Sequence, residues 1–227
     1  MIGTRDDLLD QIAGVAPELA EGYGQIRETI ERDGALSAAT KALIVAVCAA
    51  ARGYDELARD ELARGRSLGL EDREIADAGV SLLLARGEVI CGRFADAAGG
   101  FAHADSPRPP SPVGPVDYFL DFFGVDELPT RMAIMSARVP GVFAGYQRMH
   151  HAALKADPAS GKLTELVLVA VNAADLASTF VAIHAATART AGATDAELVE
   201  AVVCAIPVSG VAAWASAAEA LFPDAKE

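Results

Sequence analysis

Glu165 and His184 are the two side chains of this sequence best suited to move a proton. His184 ends the run Leu176-Ala-Ser-Thr-Phe-Val-Ala-Ile-His184, in which no charged residue precedes it. An imidazole paired with a carboxylate exchanges a proton near neutral pH. Spacing along the chain does not by itself bring the two together. Tyr146 and His150 stand four apart and share a face if their segment is helical, which would offer a hydroxyl donor and a second imidazole to one pocket. Arg131, Arg138 and Arg148 flank that segment and are candidate seats for a substrate carboxylate. Glu165, His184 and His150 together would make a two-imidazole, one-carboxylate set of the kind several metals accept. No close-spaced ligand pair of the His-x-x-x-His type accompanies them, so no metal is expected. Ser178 and Thr179 near His184 read as a polar helix face. The sequence has no glycine-rich phosphate loop and no dinucleotide fingerprint.

Three cysteines, Cys48, Cys91 and Cys204, lie far apart. An odd number at such spacing is no disulfide framework and fits a reducing, cytoplasmic setting. Each sits in or beside an apolar run, where a cysteine is usually a small core residue. The net charge of −13 disfavours nucleic acid and anionic membrane as partners. Residues Met1 to Asp7 are too polar and acidic for a secretory leader. The uncharged stretch Ala201–Ala218 is interrupted by Pro207, Ser209 and Gly210, and reads as two buried helices with a break rather than a membrane span.

These side chains need helices to position them. The chain is 52% hydrophobic and only 6% aromatic, and much of its apolar content is alanine, which favours helix and close helix packing. The expected fold is all-α, in two tandem pseudo-symmetric halves. Sliding the sequence by 123 positions superposes Pro17 on Pro140, Gly22-Tyr23 on Gly145-Tyr146, Ser37 on Ser160, Arg66 on Arg189, Gly69 on Gly192, Asp72 on Asp195 and Glu74 on Glu197. The expected boundaries are residues 1–105 for a first helical repeat with a degenerate site, 106–115 for a linker and 116–227 for a second repeat. Five prolines between Ser106 and Pro115 exclude a helix across the linker. Each half predicts a helix after Pro17 or Pro140, then a long apolar helix from near Ser37 or Ser160. In the second half Asp175 is placed to cap a helix over Leu176–Thr190 that stops at Ala191-Gly192. Thr194 and Glu197 then form a capping box for the next helix.

The segment Leu163-Thr-Glu165-Leu-Val-Leu-Val-Ala-Val171, followed by His184 and by Ala191-Gly192-Ala193-Thr194-Asp195-Ala196-Glu197, resembles the core of the carboxymuconolactone decarboxylase and alkylhydroperoxidase D-like superfamily. That pattern reads Glu, twelve residues on a Cys-x-x-Cys-x-x-x-His, and then a Gly-x-x-x-x-Glu helix start. Glu165 and His184 keep the spacing, whereas the two cysteine positions fall on Ala177 and Phe180. In the first half the cysteine positions are Tyr54 and Leu57, the Glu position is Ala42 and the His position is Glu61. The segment Arg52-Gly-Tyr-Asp-Glu-Leu-Ala58 is similar to the non-thiol decarboxylase branch, without that branch's histidine.

The resemblance implies an all-helical, oligomeric protein, trimer- or hexamer-like, whose Glu165 and His184 helices pack side by side. It implies no cofactor. The activity to expect is a cofactor-independent acid–base lyase, a decarboxylase, or an isomerase acting on a small cyclic or unsaturated acid or lactone, with Glu165 and His184 catalytic and Tyr146, His150, Arg131 and Arg138 around the substrate. An antioxidant peroxidase working through the cysteines and a non-catalytic oligomeric paralogue are the alternatives.

Overall fold

The structure, a computed structural model, describes residues 5–101, 114–154 and 158–223. The linker expected at 106–115 lies outside the described residues except for Gly114 and Pro115, and Pro115 already opens a helix. Among the described residues every regular element is a helix: α1 (Arg5–Val15), α2 (Pro17–Glu31), α3 (Ala38–Ala51), α4 (Asp55–Ser67), α5 (Asp72–Ala98), α6 (Pro115–Phe123), α7 (Thr130–Arg138), α8 (Pro140–Leu154), α9 (Pro158–Ala174), α10 (Ser178–Thr190), α11 (Asp195–Val203), α12 (Ile206–Ser209) and α13 (Ala212–Leu221).

Two helix segments, Leu43 to Ala51 of α3 and Leu166 to Val171 of α9, are apolar all round, and such segments must lie inside. From Leu43 to Ala50 of α3 no side chain has any exposed surface. From Leu166 to Ala174 of α9 every residue is buried. α3 and α9 pack on each other at the centre. Each folds back through a short turn onto an amphipathic partner, α4 and α10 respectively. α5 covers α3, α4 and α9, while α11 and α13 close the far side of α9. Alanine at the contacts of α3 and α9 lets helix axes approach closely, and each fully buried Leu or Ile adds about 1.5–3 kcal/mol of burial. A smaller aromatic cluster, Tyr118, Phe119, Met132 and Phe143, joins α6 and α7 to α8.

Several elements stand 123 positions apart in the structure. α4 and α10 begin and end 123 positions apart, and α5 and α11 begin 123 positions apart, at Asp72 and Asp195. Arg66 bonds the Ala98 carbonyl at 2.9 Å and pairs with Asp72; Arg189 bonds the Leu221 carbonyl at 3.0 Å and pairs with Asp195. Gly87 and Gly210 share an uncommon backbone geometry, φ +80°, ψ −179° and φ +70°, ψ −175°. This region is open to glycine almost alone. It breaks α5 in mid-course and separates α12 from α13.

The capping boxes form at both places: Glu71 with Glu74 at the start of α5, and Thr194 with Glu197 at the start of α11. The Asp175 cap does not. α10 begins at Ser178 with Ala177 before it and no side-chain cap. The reason is the turn: Leu176 adopts φ +57°, where the first half has Gly53 at φ +80°. That left-handed residue turns Asp175 away from the helix start and towards Arg86 and Arg52. No helix among the described residues is long and apolar enough to cross a membrane.

Candidate active site

Glu165 comes from the central helix α9 and is only 3% exposed. A carboxylate so placed needs a bonding partner. The α9–α10 hairpin supplies it: His184 Nδ1 lies 2.8 Å from Glu165 Oε2. This bond fixes the imidazole ring and leaves Nε2, which has no partner among the described residues, as the nitrogen able to exchange a proton. His184 is half-buried and lines a cavity of about 490 Å³. Glu165 lines a neighbouring cavity of about 370 Å³ together with Asp121, Phe122 and Thr187. The dyad therefore stands between two hollows.

The polar lining of the larger cavity comes from four helices. Tyr146 and His150, one turn apart on α8, face it together with His184, Asn172, Asp175 and Arg86; Leu84, Leu154, Leu168 and Phe180 supply apolar wall. Burial pushes the Tyr146 hydroxyl up; the charge of Arg131 opposes this and that of Glu165 adds to it. His150 is buried, and its Nδ1 lies 2.9 Å from the hydroxyl of Tyr118, itself buried. Burial first, then the nearby Tyr146, Asp121 and Glu165, push the Tyr118 hydroxyl well above its ordinary value. Tyr118 belongs to α6, just beyond the proline-rich stretch, and sequence reasoning missed it. Its position in an aromatic cluster, Tyr118-Phe119-Leu120-Asp121-Phe122-Phe123, was the available signal.

The cation at the cavity wall is Arg86, not the arginines expected from proximity in sequence. Arg131 and Arg138 are exposed on α7 and line none of the described cavities. Arg148 is exposed on α8. All three are exposed, although the charge of Arg131 reaches the Tyr146 hydroxyl. Arg86 is the last residue before the Gly87 break. Its guanidinium donates from Nε to Asp175 at 2.9 Å, from one terminal nitrogen to Asn172 Oδ1 at 3.0 Å, and from the other to the Ala85 carbonyl at 2.9 Å. Asn172 in turn donates to the Leu168 carbonyl, which orients its oxygen towards Arg86. Arg52 approaches the same Asp175 at 3.6 Å, so two arginines share one carboxylate and the cluster keeps a net positive charge. Arg52 and Asp175 are themselves 123 positions apart, so the turns after α3 and α9 meet here.

None of the thiols lines this cavity, although Cys48 is close enough to Cys204, Asp175 and Arg86 for their charges to act on it. Cys48 and Cys204 have no exposed surface, and burial pushes both up, Cys204 to about 12. Cys91 is half-buried, is also raised by burial, and donates to the Gly79 carbonyl. A protonated, buried thiol is a poor nucleophile. At the two positions where the resembling pattern has cysteines, Ala177 and Phe180 form apolar wall of the cavity. Among the described residues no three His, Cys, Asp or Glu side chains group as a metal-ligand set.

At the corresponding positions of the first half the side chains form ion pairs. Arg27, at the offset of His150, is 2.8 Å from Glu61, at the offset of His184. Glu61 also pairs with Arg64 at 2.7 Å, and Arg27 with Glu31 at 2.8 Å. Ala42, at the offset of Glu165, is fully buried.

Residues 140–222, which carry α8 to α13 and with them Tyr146, His150, Glu165 and His184, match the carboxymuconolactone decarboxylase family. No curated protein matches the chain.

Proposed function

We propose, from the match of residues 140–222 to the carboxymuconolactone decarboxylase family, that the chain is a cofactor-independent acid–base lyase or isomerase acting on a small cyclic or unsaturated acid or lactone. The observation that carries this reading is the 2.8 Å bond between His184 and Glu165 at the wall of a 490 Å³ cavity. A cavity of that size suits a small-molecule substrate.

In a decarboxylation the bond between the ring carbon and the carboxylate breaks and CO2 leaves. The electron pair passes into a conjugated carbonyl, giving an enolate. His184 then delivers the proton on Nε2 to carbon, and Glu165 stabilises the imidazolium before that transfer. In an isomerisation the same nitrogen removes a proton at one carbon and returns it at another. Arg86 seats the substrate carboxylate, since a charge-assisted guanidinium bond is strong in an apolar pocket. Tyr146 and His150 contact the rest of the substrate. Loss of the thiols at the positions of Ala177 and Phe180, and the burial of Cys48 and Cys204, favour proton chemistry over peroxide reduction.

We read the two halves as copies of one helical unit, the first carrying the Arg27–Glu61–Arg64 pairs in place of an acid–base pair and serving as scaffold. Exposed Ile134 on α7, Val142 on α8 and Val139 between them support packing between several copies of the chain; light scattering measures the number.

The test is His184→Gln, assayed against a panel of unsaturated lactone acids by loss of conjugated absorbance and release of CO2. Turnover should disappear while the helical circular-dichroism spectrum is unchanged. Turnover equal to the parent refutes the assignment.

A further inference from the structure

We propose that Asp175 is a specificity-determining residue: it occupies the side edge of the Arg86 guanidinium and so limits that cation to a single oxygen of the substrate carboxylate, at reduced strength. The inference rests on the reading of the cavity of about 490 Å³ as the substrate site and of Arg86 as its anion seat. It adds how that seat takes its ligand and which residue sets the strength of the grip.

The donors of Arg86 carry the argument. A guanidinium has five N–H groups in one plane and no acceptor. Nε donates to Asp175 Oδ2 at 2.9 Å, and Nη2 lies 2.8 Å from the same oxygen, so Asp175 fills the edge that these two nitrogens share. Nη2 also donates to Asn172 Oδ1 at 3.0 Å, which takes up its other hydrogen. Nη1 donates to the Ala85 carbonyl at 2.9 Å. Among the described residues one N–H, on Nη1, is left over. A carboxylate binds through both oxygens only where two parallel N–H groups are open on one edge of the fork. Neither edge of Arg86 offers such a pair.

Asp175 is also fixed independently of Arg86. Its other oxygen, Oδ1, lies 3.6 Å from Arg52 Nη1, so the carboxylate stands between two cations. Its backbone is set by Leu176 at φ +57°, the turn that directs it away from the start of α10. Asn172 is buried and is held by its own bond to the Leu168 carbonyl at 2.7 Å. The seat is therefore assembled from distant parts of the chain: Arg86 from α5, Arg52 from the end of α3, Asn172 from α9 and Asp175 from the turn after it.

The consequence is a graded grip. Asp175 offsets much of the Arg86 charge, and one charge-assisted bond anchors a carboxylate where an open fork would supply two. Contacts that hold substrate and transition state alike lower KM without speeding the chemical step. Restricting Arg86 to one bond keeps that uniform part small and lets an acidic product leave. The seat then tells a carboxylate from a neutral group by charge, not by the spacing of two oxygens.

The experiment uses the full-length chain and benzoate, a planar anion with one carboxylate, its affinity read by isothermal titration calorimetry at pH 7. Asp175→Asn keeps the size and an acceptor but removes the competing charge; Asp175→Ala empties the edge. Each should bind benzoate about three- to tenfold more tightly than the parent, the low end for a charge-assisted bond because Arg86 and Asp175 are partly exposed. Benzamide, with one carbonyl oxygen and no charge, should gain nothing. In turnover of a lactone acid, Asp175→Asn should lower KM without raising kcat. Benzoate affinity unchanged or weaker in Asp175→Asn with a parent-like circular-dichroism spectrum, an equal gain for benzamide, or no benzoate binding by any of the proteins overturns the proposal. Asp175→Asn, nearly isosteric, decides the matter if Asp175→Ala unfolds. Arg86→Gln separates this inference from the reading beneath it. Benzoate affinity indifferent to Arg86→Gln removes the anion seat itself; affinity lost in Arg86→Gln but not raised in Asp175→Asn removes only the role of Asp175.

Discussion

Glu165 and His184, nineteen residues apart on adjacent helices, are joined by a 2.8 Å bond in which the carboxylate is almost fully enclosed and the imidazole reaches a cavity. Glu165→Gln keeps the shape and removes the charge that supports the imidazolium. It should lower turnover by about 10²–10⁴-fold. His184→Ala leaves a buried acceptor without its donor and should cost about 1–3 kcal/mol in urea unfolding. Parent-like stability in His184→Ala would mean that the bond is not made in solution.

Arg86 should act on affinity rather than on the chemical step. Arg86→Gln removes a charge-assisted bond worth about 1.5–3 kcal/mol, so the KM for a carboxylate-bearing substrate should rise roughly 10- to 100-fold with a smaller change in kcat. Arg86→Lys should recover only part of this, because a lysine cannot hold Asp175, Asn172 and a substrate through one planar fork. A KM unmoved by Arg86→Gln would assign the carboxylate another seat.

Backbone conformation offers a test that needs no substrate. Leu176 is half exposed at φ +57°, where Gly53 stands in the first half. The left-handed region costs a branched residue about 1–2 kcal/mol. A glycine costs about 0.5–1 kcal/mol in unfolded-chain entropy. Leu176→Gly should therefore stabilise slightly, by up to about 1 kcal/mol. Gly87→Ala and Gly210→Ala should each destabilise by about 1–3 kcal/mol, and Gly87→Ala should also raise KM by shifting Arg86. Urea midpoints measure all three.

The two buried thiols should be inert in the folded protein. Burial raises Cys48 and Cys204, the latter to about 12, so both remain protonated at pH 8. An aromatic disulfide reagent should leave them unmodified in native protein and label them in denaturant. Consumption of either by peroxide in the native state would reopen the peroxidase reading.

Stability at acid pH should depend on Glu200. Burial pushes its carboxyl up, but bonds from the Leu36 and Ala35 N–H groups and the charge of Lys41 outweigh this and hold it below the ordinary 4.5. A carboxyl lowered on folding contributes stability that is complete above its unfolded value and is lost as pH falls through the folded one. The unfolding midpoint of the parent should fall between about pH 5 and 3. Glu200→Gln should be less stable at pH 7 and flatter across that window. Lys41, also buried and bonded to the Thr29 carbonyl, would then lack its carboxylate partner.

The sequence alone determined the helical class, because its alanine-rich, aromatic-poor composition favours helix and close helix packing. It also determined the capping boxes and the helix starts at Pro17 and Pro140, since each follows from local chemistry; contact between Glu165 and His184 was implied only by the family resemblance. Only the tertiary structure decided which arginine reaches the cavity. Arg86 is 79 positions from Glu165 in the chain, and it arrives because a glycine breaks α5 where α5 crosses α9. The same holds for Asp175, turned from a helix cap into an arginine partner by one left-handed residue, and for Tyr118, whose bond to His150 joins helices separated by α7. Periodicity and capping act over one or two turns of chain. The electrostatic environment of an imidazole is set by whatever packing brings within 3 Å, and that distance has no counterpart in sequence.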